Sequence, residues 1–182
     1  MANTTTWVID PMHSEVLFKI KHLVISTVTG SFRKFEGQVV TQGDDFNDAR
    51  VTIAIDVKSI DTNQQQRDEH LQAGDFFSAD QYPQITFEST SFKKTDGNDY
   101  KMTGNLTLKG VTKPVELHVE YGGSENNGHG VIKHGFEVTG IINRNKFGMT
   151  WNKLTDTGGL GLGEDIKLIA NIQVAELVEE AV

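Results

Sequence analysis

Along most of the chain apolar and polar residues alternate with a period of two, the signature of strands with one buried face. Val16, Phe18 and Ile20 oppose Glu15, Lys19 and Lys21, and after a turn placed at Gly30 the set Phe35, Gly37, Val39 continues the pattern. Val51, Ile53, Ile55 and Val57 face away from Arg50, Thr52 and Asp56. Ile85, Phe87 and Ser89 alternate with Thr86, Glu88 and Thr90. The triplet Asp96-Gly97-Asn98 is a hairpin signal, and beyond it Tyr100, Met102, Gly104, Leu106 and Leu108 share a face. Val115, Leu117, Val119 and Tyr121 form the next apolar set. A polar, glycine-rich loop is expected over 122–130, before Phe136, Val138, Gly140 and Ile142. Ile166, Leu168, Ala170, Ile172 and Val174 close the series.

The pattern predicts about eight strands joined by short connections, with neither βαβ rhythm nor internal repeat. The fold class is therefore all-β, as one domain over 1–182. An antiparallel sheet of this kind with one apolar face seals its edges best by closing into a barrel. A ten-residue strand spans roughly 33 Å, which leaves a barrel about 25 Å tall at the usual tilt. Eight strands enclose either packed side chains or one slender ligand.

One stretch breaks the alternation. Residues 62–73 read as a short helix, with Thr62 as N-cap, Gln65 as its capping-box partner and Gly74 as the stop. Ser78-Ala79-Asp80-Gln81 repeats the cap spacing and predicts one further helical turn before Pro83. Between them lie Asp75, Phe76 and Phe77. A polar helix that bridges two strand segments and ends in a Phe pair belongs to a lid or mouth rather than to a core.

Composition narrows the function classes. A formal net charge of −8 argues against a nucleic-acid footprint, which needs clustered Lys and Arg. Without cysteine there is no disulfide, thiolate nucleophile or Cys-based metal site. Eighteen glycines against three prolines suit many strands and turns. The N-terminus has no basic and apolar leader regions, and no apolar run reaches the roughly 20 residues of a membrane-spanning helix. The expected compartment is cytoplasmic as written, or periplasmic if a leader has been removed.

Arg67, Asp68, Glu69 and His70 join phosphate-clamp and acid–base groups in four consecutive positions, although a solvated helix face with local ion pairs has the same composition. The six histidines include no helical ligand pair, and His129 and His134 sit on a loop and a strand entry, so no metal site is expected. Gly158 to Gly163 lacks the strand-then-helix context of a dinucleotide fingerprint and is expected to be a loop. No Gly-x-Ser-x-Gly elbow or P-loop occurs. Asn143 to Trp151 joins Arg144 and Lys146 to Phe147, Met149 and Trp151. It is either a cavity edge with a cation at its rim or an ordinary strand end.

Several spaced motifs together resemble the YceI-like polyisoprenoid-binding proteins. They begin with Trp7-x-x-Asp10-x-x-His13-Ser14, Val16-x-Phe18, Lys21-His22-Leu23 and Gly30-x-Phe32-x-x-Phe35-x-Gly37. They continue through Ser59-Ile60-x-Thr62, Arg67-Asp68-x-His70-Leu71, Asp75-Phe76-Phe77 and Tyr82-Pro83-x-Ile85-x-Phe87-x-Ser89. Last come Gly104-x-Leu106-Thr107-Leu108-x-Gly110-Val111-Thr112-Lys113-Pro114-Val115 and Asn143-Arg144-x-x-Phe147-Gly148. The resemblance covers nearly the whole chain, in order. It implies an extended, lipocalin-like, eight-stranded antiparallel barrel whose tunnel holds a long isoprenoid chain of the polyprenyl phosphate or isoprenoid quinone type. It implies no catalytic residue and no cofactor apart from the lipid. It also implies a homodimer as a candidate state.

On these grounds Phe18, Ile20, Phe76, Phe77, Phe87, Leu106, Leu108, Phe147, Met149 and Trp151 are candidate tail-lining residues, and Arg67 and Arg144 candidate head-group contacts. At about 0.8 kcal/mol per methylene, a 40-carbon tail carries a gross burial energy of about 30 kcal/mol. That exceeds the roughly 20 kcal/mol ceiling on non-covalent affinity, so a complete tail need not fit tightly. Two other classes compete: an enzyme acting on an apolar substrate through Arg67, Asp68 and His70, and a structural or stress-related barrel filled by its own side chains, with no ligand.

Overall fold

The computed structural model describes residues 3–23, 25–43, 45–126, 128, 130–152 and 161–177. Its strands are β1 (Thr4–Ile9), β2 (Glu15–His22), β3 (Ser26–Phe32), β4 (Phe35–Gln42), β5 (Arg50–Asp56) and β6 (Ile60–Asp61). After helix α1 (Gln65–Gln72) come β7 (Gln84–Asp96), β8 (Asp99–Leu108), β9 (Val111–Asn126), β10 (Ile132–Asn143) and β11 (Leu162–Glu176). Among the described residues no helix is long and apolar enough to cross a membrane.

All strands belong to one antiparallel sheet in the order β1-β4-β5-β7-β8-β9-β10-β11, with β2, β3 and β6 continuing from β11. A second pairing, Trp7 to Glu176 and Ile9 to Val174, joins β1 back to β11 and closes an eight-stranded ring. The expected barrel is present, but its eighth member is β1. The strand β2 pairs with the other half of β11, from Asn171 back toward Leu162. The long β11 thus borders two neighbours on one side, the ring below and the β2-β3-β6 ribbon above. Between β1 and β2 the chain bends through the short turn Pro11–His13, where the Asp10 carboxylate accepts from the Met12 N–H at 3.0 Å.

The pleat decides what faces inward. On β8 Tyr100, Met102, Leu106 and Leu108 are buried in strict alternation, as the sequence predicts. On β11 the inward residues Ile166, Leu168 and Ala170 are only half-buried, because they face empty space rather than other side chains.

Three local expectations are corrected. Gly30 is not a turn but an interior residue of β3. A Cβ there would stand 2.2 Å from Phe18 Cζ, so glycine is required by a ring rather than by backbone conformation. The loop expected over 122–130 is strand up to Asn126, because β9 continues to pair with β10 through Asn126–Ile132. The cap of α1 is Gln64, without a side-chain cap bond, rather than Thr62. Thr62 is instead itself held, its N–H and hydroxyl both donating to Asp68 Oδ1 at 2.8 and 2.5 Å. The helix ends on Ala73, and the turn expected at 78–81 is present, with the Tyr82 N–H donating to the Ser78 carbonyl.

Candidate functional site

The barrel is hollow. Its cavity measures about 740 Å³ and runs from Phe46, Phe92 and Phe136 at one end to His70, Phe76 and Trp151 at the other. Every strand of the ring contributes at least one apolar side chain, and on β5 (Val51, Ile53, Ile55) and β9 (Val115, Leu117, Val119) they come at alternate positions, as a period-two pattern wrapped into a closed sheet requires. Among the described lining residues the polar side chains are His22, Arg67, His70 and Arg144. No carboxylate, hydroxyl, thiol or amine lines it among those residues.

One end is plugged by rings. Trp7 donates through Nε1 to Thr41 Oγ1 at 3.1 Å and stands edge-on to His134 at 4.6 Å. Phe46, carried on the chain after β4, packs 4.9 Å from both His134 and Phe136. The Tyr121 hydroxyl and His134 Nδ1 are 2.7 Å apart. Burial pushes the His134 pKa below its usual value, so the ring is kept neutral. Beside the plug, Lys133 Nζ and His13 Nδ1 lie 2.9 and 2.8 Å from Asp10 Oδ2. These partners, Lys133 first, pull the Asp10 pKa down to about 2.

The other end is crossed by α1. Arg67, His70 and Leu71 are three and four residues apart, so they share the helix face that meets the cavity. Arg67 is strapped back to Thr62, donating from Nε to Oγ1 at 2.8 Å and from Nη2 to the carbonyl oxygen at 2.6 Å. His70 pairs through Nε2 with Asp75 at 3.0 Å and stands edge-on to Phe76 and Trp151 at 5.1 and 4.9 Å. The predicted cluster is therefore divided. Arg67 and His70 face the cavity, Asp68 is bound to Thr62, and His70 takes its carboxylate from Asp75 instead.

Arg144 is 1 % exposed and opens the short turn Arg144–Phe147. It donates from Nε to the carbonyl of Gly163 at 2.7 Å and from Nη1 to those of Met149 and Trp151 at 2.6 and 2.8 Å. Nη2 reaches the Leu162 carbonyl at 3.3 Å. Four carbonyls thus satisfy a buried cation that lacks an ion-pair partner among the described residues. Burial lowers its pKa, and the charge of Glu164 acts the other way. The guanidinium fastens the 144–151 segment to the start of β11 and borders the cavity at the same time.

Of the predicted tail-lining residues, Phe18, Ile20, Phe76, Phe77, Phe87, Leu106, Leu108, Met149 and Trp151 line this one cavity. Phe147 does not: it is buried, but packs behind the wall. Strand periodicity cannot place it, because Phe147 sits in a turn. Both predicted arginines border the cavity. Sequence reasoning missed Leu71, which its helical spacing from Arg67 would have found, and His22 and Leu23, whose place at the opening depends on how β2 meets β11. Of the histidine pair considered for metal, His134 lies in the aromatic plug and His129 lies outside the described residues. So do 158–160 of the expected glycine loop, whereas Gly163 belongs to β11.

A family model described as a YceI-like domain matches residues 7–174, a span that takes in every lining residue from Ile9 to Ile172. The chain belongs to the YceI-like family. A UPF0312 protein of Staphylococcus aureus is 40% identical over 170 residues, covering 93% of this chain and 96% of its own. Among solved structures, Burkholderia cenocepacia BcnA superposes with a TM-score of 0.78 at 25% identity, covering 91% of this chain and 98% of that one. A polyisoprenoid binding domain from Saccharophagus degradans, implicated in plant cell wall breakdown, gives a TM-score of 0.66 over 94% of this chain and 98% of its own. At 14% identity that likeness is one of fold. The closed antiparallel barrel is thus the fold shared with these solved structures.

Proposed function

We propose that the protein is a carrier for a long isoprenoid lipid, of the polyprenyl phosphate or isoprenoid quinone type, held tail-inward in the barrel. The observation that carries this reading is the distribution of polarity in the cavity. About 740 Å³ is lined by apolar side chains, and among the described lining residues the polar ones, His22, Arg67, His70 and Arg144, are all of basic type. Such a site suits an apolar chain with an anionic or hydrogen-bond-accepting head. At roughly 30 Å³ per water-sized group, the cavity holds about 25 such groups, so a chain of roughly 25 carbons fills it and a longer tail extends beyond it. The branched, ring-lined interior favours a methyl-studded isoprenoid over a smooth chain, as dispersion contacts reward filled volume.

Binding rather than catalysis is the reading the lining supports. The His70–Asp75 pair has a basic nitrogen in place but faces no nucleophile among the described lining residues. A barrel filled by its own side chains is not observed.

The test is native mass spectrometry, with solvent extraction, of protein purified from its own host. An isoprenoid released in about equimolar amount supports the proposal; a straight-chain fatty acid, or repeated recovery of empty protein, overturns it. Ala170→Phe, which fills the cavity from β11, should displace the ligand while leaving the barrel folded.

A further inference from the structure

The described lining residues of the cavity are buried or half-buried with three exceptions: His22, Leu23 and Trp151 are exposed. The opening is therefore where these three meet, at the turn between β2 and β3 beside the start of β11. The Leu23 N–H donates to the Gly161 carbonyl at 2.7 Å, and the Ser26 hydroxyl to the His22 carbonyl at 2.9 Å, so the chain is held at Leu23 and at Ser26. Leu23 is 46 % exposed and Ile25 is 89 % exposed, and Trp151 across the opening is 37 % exposed.

We infer that this rim is a docking surface for a lipid bilayer, through which the tail enters and leaves. The inference rests on the carrier reading above. The rim is continuous with the cavity, since Leu23 and Trp151 belong to both. The exposed apolar area of its described residues Leu23, Ile25 and Trp151 is on the order of 300 Å², short of the roughly 450 Å² of apolar surface per partner within the roughly 800 Å² that a stable protein interface buries. A second copy of the chain is therefore a poor occupant, whereas a fluid lipid surface needs no matching shape. Tryptophan is also at home at the boundary between head groups and acyl chains. Among the described residues, Lys21 on one side and Glu164 and Asp165 on the other leave no strong charge of one sign at the opening. Contact is thus apolar, and a neutral surface suffices. Such docking gives the tail a dry path, because each methylene exposed to water in transit slows transfer by about fourfold.

The probe is geranylgeranyl phosphate, offered to the protein either in phosphatidylcholine vesicles or in cyclodextrin. Ile25→Glu changes a side chain that does not line the cavity, and Ile141→Glu changes another outward one, 67 % exposed, on β10. Ile25→Glu is expected to slow uptake from vesicles by about tenfold or more and leave uptake from cyclodextrin unchanged, while Ile141→Glu alters neither. Bromine-labelled lipid should quench emission of the wild type more than that of Trp151→Phe. The inference is overturned if Ile25→Glu takes up vesicle-borne probe at the wild-type rate, if it slows in both arms, or if Ile141→Glu slows as much. Failure of the wild-type protein to take up the probe from cyclodextrin would overturn the carrier reading itself, and this inference with it.

Discussion

Nη1 of Arg144 lies 2.6 Å from the carbonyl oxygen of Met149 while its Nε donates to that of Gly163, so the 144–151 segment, which carries the wall residues Met149 and Trp151, is fixed to β11. The same guanidinium reaches Trp151, Leu162 and Gly163. A side chain engaged in this way is first an anchor, whatever else it meets. Replacing it with methionine keeps the volume but orphans four carbonyls, each worth about 1 kcal/mol or more when buried. Arg144→Met is therefore expected to lower stability by about 3 kcal/mol or more, read from urea unfolding. Wild-type stability combined with lost ligand binding would show that the head group, not the backbone, is its main partner.

Arg67 differs, since Nε and Nη2 go to Thr62 while the residue borders the cavity. Asp68 still holds Thr62 when Arg67 is removed. Arg67→Ala should then cost only about 1 kcal/mol in stability. It should weaken binding of geranylgeranyl phosphate while sparing geranylgeraniol, the uncharged alcohol. Competition binding with the two ligands checks this, and equal weakening of both would remove Arg67 from head-group recognition.

Asp10 gives the barrel an acid limb. Its pKa in the fold, about 2, is below the ordinary 3.8, so folding favours the carboxylate. The stability it contributes is complete above pH 3.8 and is lost as pH falls through about 2. Allowing for solvent screening, the expected size is about 1 kcal/mol. Asp10→Asn should flatten that part of the pH–stability curve and leave the neutral range lower by a similar amount.

His134 acts in the same direction at higher pH. Burial holds its folded pKa below the ordinary 6.5, so the unfolded chain binds the proton first. Stability should be complete above pH 6.5 and decline as pH drops from there toward the lower folded value. Replacing His134 with glutamine should remove this decline, measured as the unfolding midpoint between pH 7 and pH 5.

Two glycines separate wall from backbone. A Cβ at Gly104 would meet both the Phe87 ring and the Glu88 carbonyl oxygen at 2.5 Å, and the carbonyl cannot yield without distorting the β7–β8 pairing. At Gly30 the closest atoms belong to the Phe18 ring, which borders the cavity and has room to swing into it. Gly104→Ala should cost about 2–3 kcal/mol and Gly30→Ala less, with the latter reducing ligand capacity instead. Unfolding and binding measured on both variants decide it.

Much of this protein follows from local chemistry. Period-two alternation determined the fold class, and on β8 it named the inward residues one by one. The same alternation supplied most of the cavity wall, because in a closed barrel the face away from solvent is the lining. The helix and its Phe pair were legible too, from composition. What alternation cannot carry is which strand completes the ring, since β1 and β2 both border β11 and only their registers along its length divide the roles. Nor can it show that Gly30 makes room for Phe18, that Thr62 is held by Asp68 rather than capping the helix, or that Phe147 packs behind the wall. Each of these depends on contacts between residues distant in sequence or on a turn with no fixed period. The hollow itself belongs to that second group. An apolar inward face is compatible with a packed interior or an empty one, and only the spacing of opposite walls, set by closure of the ring through Trp7 and Glu176, left room for a ligand.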